Sequence, residues 1–274
     1  MSALLRSMLV ALLIATPSLL LVNTRTDTAQ VVVVLAILAS VLTFIEYYGR
    51  FPSFIDFRFA APVNRLKFSA LFITVILLSL ILRGQTNPTG WTTMITTVGD
   101  GLGRAMDFPY SPVRLVVLML PSDTDAHTIA LVRTAAGISY MVSFTMMFVF
   151  LSMVRLFDWP VRRGAFNVWI NLPLFDPTRG DVLERLKRDA TLNLVLGFLL
   201  PFLIPVAVKA ASSTIDPLSL NHPQTLIWTM TAWAFLPASL LMRGIAISRI
   251  AELIEEKRRR AYAQQTEAKA LQSA

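Results

Sequence analysis

Six stretches of the chain are long and apolar enough to cross a bilayer, for which a helix needs about 20 mostly apolar residues. They lie near residues 4–22, 29–47, 68–82, 128–153, 190–208 and 225–242, and none carries an acid in its interior. The third is short unless Lys67 and Arg83 at its ends reach outward. Arg133 is the basic residue well inside a span, close enough to the start of the fourth helix to snorkel to the surface. The pattern predicts an all-α, polytopic transmembrane helical bundle. Residues 1–248 form its membrane domain and residues 249–274 a basic helical tail. A basic start and apolar core also fit a cleavable signal at the first stretch. A cut after Ala29 would place Asp27 at the minus-three position, so a retained anchor is expected.

The connecting segments have patterns of their own. Residues 23–28 form a tight hairpin, which makes the first two helices antiparallel neighbours. Between residues 48 and 67, Phe51, Phe54, Phe57 and Phe59 alternate with Arg50, Asp56, Arg58 and Arg65. That mixture predicts a segment lying among lipid headgroups, with a lipid or partner contact as the other reading. After Asn87-Pro88, the residues Trp91, Met94, Ile95, Val98, Leu102 and Met106 recur at helical spacing, while Thr92, Thr96, Asp100 and Arg104 point elsewhere. This predicts an amphipathic helix flat on the membrane surface. Gly99, Gly101 and Gly103 weaken it, each by about 1 kcal/mol relative to alanine. Their spacing, with no strand before them, does not match a phosphate-binding loop.

Val113 to Leu120, bounded by Pro112 and Pro121, reaches only about 12 Å as a helix. It must dip in and return, or pack on the ends of the other helices. Further on, Asp181 and Glu184 form an approximate capping box before the stripe Val182, Leu183 and Leu186, a helix expected to run into the fifth span. The last span continues past the membrane. Ile247, Ile250 and Ile254 follow a helical period, and Glu255 with Arg259 and Glu256 with Arg260 are spaced as i,i+4 pairs. The isoleucines are expected to face a partner, the alternative being a polar tail that frays beyond Arg260.

Composition narrows the class. With 55% hydrophobic and 15% charged residues, against about 25% charged in soluble domains, soluble, disordered and fibrous chains drop out. The absence of cysteine removes disulfides, thiolate nucleophiles and cysteine-ligated metals. A net charge of +8 could suggest nucleic acid. With the N-terminus inside, however, 19 of the 25 Lys and Arg fall on cytoplasmic segments, which sets both termini in the cytoplasm. Topology and anionic headgroups on that side then account for the charge, and no nucleic-acid partner is expected.

Candidate chemistry is sparse. His127 and His222, with Asp123 and Asp125, are weak candidates for a metal site. No paired aspartates, serine with a base, or HExxH motif lies within a span, so no catalytic or cofactor-binding residue is expected. Ala135, Ser139 and Ser143 recur every four residues, which marks a close-packing helix face rather than nucleophiles. Pro201 and Pro205 free backbone carbonyls, as broken helices of transporters do, although ordinary kinks have the same signature. The connections between spans do not match an inverted repeat. The expectation is a non-enzymatic, multi-pass protein of a bacterial inner membrane, without cofactor, acting as an accessory, assembly or scaffold subunit that associates with other membrane proteins or itself. The alternative is a small-solute transporter or channel subunit.

Overall fold

A computed structural model describes residues 2–21, 26–50, 54–58, 60–161, 168–170, 181–211, 220 and 222–273. Among them the elements are helices: α1 (Ala3–Leu20), α2 (Thr26–Tyr48), α3 (Val63–Thr86), α4 (Gly90–Met106), α5 (Pro112–Met119), α6 (Ala126–Leu156), α7 (Val182–Ala211) and α8 (Pro223–Ser273). Six of these, all but α4 and α5, are long and apolar enough to span a membrane, and the chain is a multi-pass membrane protein. An even number of spans returns the chain to the face it started from. The two faces are called here the termini face and the opposite face.

Side-chain caps fix several helix starts. Ser2 accepts from Leu5 N (3.3 Å), Ser111 from Arg114 N (3.0 Å) and Asp125 from Thr128 N (2.9 Å). Each satisfies a backbone donor that the first turn leaves without a partner. Asp181 does the same for Leu183 N (3.2 Å), and α7 then continues unbroken through the fifth span, as its sequence predicts. The third span is longer than its apolar stretch: α3 has 24 residues and takes Lys67 and Arg83 into the helix.

The core has two halves. On the opposite face, Val75, Leu78, Val113, Val116, Val132, Leu226 and Met230 pack together. On the termini face, Phe57, Val63, Phe150, Leu186, Met242, Ile247 and Ile250 form the second cluster. α8 runs through both, against α6 and α7, whereas α2 packs on α1 alone among the helices and leaves Val34, Ile37 and Ile45 exposed.

In a bilayer the helices gain little from leaving lipid, so close approach of backbones does much of the joining. A Cβ on Gly197 would stand 2.8 Å from Leu241 N and Pro237 O, and one on Gly244 would stand 3.0 Å from Ala190 O. These contacts set α7 antiparallel to α8. Proline assists at one point: Pro205 has no N–H to offer the carbonyl four residues back, and Trp233 Nε1 donates to that Pro201 oxygen instead (3.1 Å).

Two sequence expectations change here. Ile247 and Ile250 do not face a partner. They are 0% and 3% exposed within the chain's own core, and Ile254 packs against the same cluster. Their stripe meets the Leu183 and Leu186 stripe of α7, so two apolar faces that each demanded burial cover one another. Likewise Glu255 pairs across to Lys187 of α7 (2.7 Å), whereas Glu256 and Arg260 keep their i,i+4 pair (3.6 Å). The Val113–Leu120 segment is α5, an eight-residue helix packed on α6 and α7 with Val113 and Val116 fully buried. Lys209 at the end of α7 donates to Leu120 O (3.1 Å), tying α5 to the helix ends.

Candidate functional site: a polar cleft at the opposite face

α4 decides what this face looks like, and its glycines are the reason it can. A Cβ on Gly99 would lie 2.5 Å from Ile138 Cδ1, one on Gly103 would lie 2.9 Å from Arg133 O, and one on Gly137 would lie 2.6 Å from Gly103 Cα. Gly103 therefore lets α4 sit directly on the α6 backbone, and Gly99, four residues earlier, makes room for the Thr134 and Ile138 side chains, the small-residue approach used between membrane helices. The glycines expected to weaken this helix are what dock it. Of Gly99, Gly101 and Gly103, it is Gly101, with nothing within 4 Å of its missing Cβ, that carries the helix cost without that return. Thr89 and Thr92 close a reciprocal capping box at the α4 start, and a Cβ on Gly84 of α3 would meet Thr92 Cβ at 2.9 Å.

Docking gives α4 three faces instead of the two its periodicity suggests. The glycine face is buried on α6. One flank exposes Trp91 (77%), Met94 (60%) and Val98 (54%). The other flank carries Thr93, Thr96, Thr97, Asp100 and Arg104, and these line a cleft of about 430 Å³. Gly84 and Gln85 of α3 and His127, Ala130, Leu131 and Thr134 of α6 complete the lining. His127 Nε2 hydrogen-bonds Gln85 Oε1 (3.0 Å), which holds the ring against the end of α3. Thr96 and Thr97 donate their hydroxyl protons to Thr92 O (2.8 Å) and Thr93 O (2.9 Å).

Charges run from the cleft along the face. Asp100 pairs with Arg104 (2.6 Å), and its other oxygen faces Arg133 Nη2 at 3.9 Å. Arg133 Nη1 lies 3.7 Å from Asp107, which pairs with Arg114 at 3.2 Å. Arg133 thus sits between two aspartates supplied by α4 and the residue that ends it, rather than snorkelling alone as expected from its place in the span. Its Nε is buried and has no hydrogen-bond partner among the described residues. Of these groups, the sequence pattern singled out Arg133 and placed Asp100 and Arg104 on the polar side of α4. Asp107 and Arg114 gave no periodic signal, because each lies at a helix junction.

The weak metal candidates do not assemble. Asp123 is exposed in the turn before α6, Asp125 caps α6, His127 is tied to Gln85, and His222 is exposed just before α8, its carbonyl accepting Leu226 N (3.0 Å). The Thr128 backbone N–H that Asp125 caps holds its carboxyl below the ordinary range. Among the described residues, no three His, Asp or Glu side chains gather into a metal-ligating group. Ala135, Ser139 and Ser143 are all buried, at 3%, 0% and 4% exposure.

A second polar cluster lies at the termini face. Arg243 of α8 pairs with Asp56 and with Asp189 of α7 (2.9 Å), and Asn193 donates to Asp189 Oδ1 (3.0 Å). Glu46, 3% exposed, accepts from Phe54 N (3.2 Å) and Ile55 N (3.1 Å), while Arg58 donates to Glu46 O and to Gly49 O (2.9 Å). Phe57 is buried against Trp159, whose ring also meets Phe150 edge-on at 5.3 Å. Part of the segment predicted to lie among headgroups is therefore a packed knot. Phe54 remains 58% exposed, and Phe51 and Phe59 lie outside the described residues. No family model, curated protein or solved structure matches this chain.

Proposed function

We propose that this membrane protein is a non-enzymatic accessory, assembly or scaffold subunit that binds other membrane proteins. In this reading its termini face the cytoplasm of a bacterial inner membrane, where the basic excess meets anionic headgroups. The observation that carries it is the length of α8. Its 51 residues span about 76 Å, far beyond what a bilayer needs. Among the described residues, the last ion pair this helix makes with another element is Arg258–Asp181 (2.6 Å), and every residue from Arg259 to Thr266 is exposed. A polar helix projecting without support is a bridging element in need of something to bridge to. Between the two polar clusters the bundle is filled by Val75, Leu78, Met230 and Trp233, packing that favours assembly over a solute conduit.

The test is a pair of truncations. A chain ending at Ala261 keeps the α7–α8 pairing and should insert and fold as the full chain does, while losing the proteins that co-purify in mild detergent. A chain ending at Arg249 also loses Ile250, Ala251 and Ile254 from the core and should unfold more readily. If the full chain and the Ala261 truncation elute as the same partner-free particle, the assembly reading fails.

A further inference from the structure

The polar cleft beside α4 has an uneven hydrogen-bonding sense. Thr96 and Thr97 have committed their protons to backbone carbonyls, so these hydroxyls offer the cleft only oxygen lone pairs. Asp100 adds a carboxylate between them and Arg104, whose side chain stays 69% exposed while it pairs with that carboxylate. Acceptors are thus grouped on one side and a cation stands on the other. The two formal charges of the lining cancel. A ligand of one sign would match one of these groups, whereas a ligand carrying both charges matches both at once.

We propose that this cleft binds a small zwitterion, a primary ammonium resting on Asp100 and the Thr96 and Thr97 oxygens and an oxyanion on Arg104. Binding exchanges one internal ion pair for two intermolecular ones and leaves no charge unmatched. Asp100 tolerates the exchange because its other oxygen already faces Arg133 at 3.9 Å. The cleft, about 430 Å³, is in the size range of small-ligand sites. The same chemistry has two sources, a free amino acid or phosphoethanolamine in solution and the headgroup of phosphatidylethanolamine. The exposed Trp91, Met94 and Val98 on the other flank of α4 set the cleft at the height of headgroups. This site is distinct from the projecting helix, and either proposal can fail without the other.

Full-length protein in phosphatidylglycerol nanodiscs would be titrated calorimetrically with glycine and with phosphoethanolamine. In parallel, native mass spectrometry would follow retention of phosphatidylethanolamine. Saturable binding of a soluble zwitterion identifies a solute site, and retention of the lipid alone identifies a headgroup site; both support the proposal. In either arm D100N and R104Q should weaken binding by about tenfold or more, as expected for lost charge-assisted hydrogen bonds, and T97V by about threefold. Arg104 and Thr97 are exposed, so R104Q and T97V keep the test valid if D100N disturbs the fold. The proposal is overturned if neither arm shows binding, if binding ignores these substitutions, or if ethanolamine and inorganic phosphate separately bind as tightly as phosphoethanolamine.

Discussion

Arg133 and Arg243 are the same device built twice. Each is an arginine on a long helix held between two aspartates from other parts of the chain. At the termini face, Arg243 is drawn tightly to Asp56 and Asp189, and Asn193 secures the latter. At the opposite face, Arg133 reaches Asp100 and Asp107 only at 3.9 and 3.7 Å, and each aspartate has a second arginine of its own. The first arrangement is compact, its Arg243, Asp56 and Asp189 side chains only 17–22% exposed. The second is loose, shared among five charged side chains and open to a cleft. A charged residue near a membrane helix end can thus be a clamp or a reserve, and the difference lies in how many partners compete for it.

Removing each arginine measures that difference most directly. R243L removes the guanidinium that bridges Asp56 and Asp189 in a mostly buried knot, where Lys67 and Asn193 stay close to them, and should cost up to about 3–5 kcal/mol, read as a large drop in the unfolding midpoint in detergent. R133L should cost no more than about 1–2 kcal/mol, because Asp100 and Asp107 keep Arg104 and Arg114. Equal losses in the two variants would erase the distinction between clamp and reserve.

The docking of α4 is the next test. G103V would drive its side chain into the Arg133 carbonyl and should cost about 1–3 kcal/mol through overpacking. It should also open the α4–α6 contact to an impermeant reagent at a cysteine introduced for Thr134, which is 4% exposed in the native packing. G101A, two residues away with open space beside it, should instead stabilise α4 by up to about 1 kcal/mol. A G101A loss matching that of G103V would mean that the glycines matter for chain conformation and not for approach.

The smallest effect belongs to the exposed Arg258–Asp181 pair at the far end of the α7–α8 stalk. The Arg258 guanidinium and the Leu183 N–H hold the Asp181 carboxyl below its ordinary value. A carboxyl with a lowered pKa contributes its stabilisation above the unfolded-state pKa and loses it as pH falls through the folded-state value. Amide exchange at Leu183 and Leu186 should therefore be slower in the wild type than in D181N near neutral pH. That gap should close once the pH drops below the usual carboxylate range, and a gap that persists there would assign the protection to packing alone.

Much of this architecture is legible in the order of residues. Hydrophobic run length specifies the six spans, since lipid rejects a backbone whose polar groups are not bonded within a helix. The period of Val182, Leu183 and Leu186, the cap at Asp181 and the stripe of Ile247, Ile250 and Ile254 were all readable. Periodicity says that a face must be covered but does not say by what. Only the tertiary structure decided that the α8 isoleucines meet α7 rather than a partner, that Phe57 turns into a core while Phe54 stays out, and that Asp100 and Asp107 converge on Arg133. The glycines of α4 illustrate the reason. Within one helix a missing Cβ is a loss of order, and its value as an approach distance exists only once a second backbone lies against it.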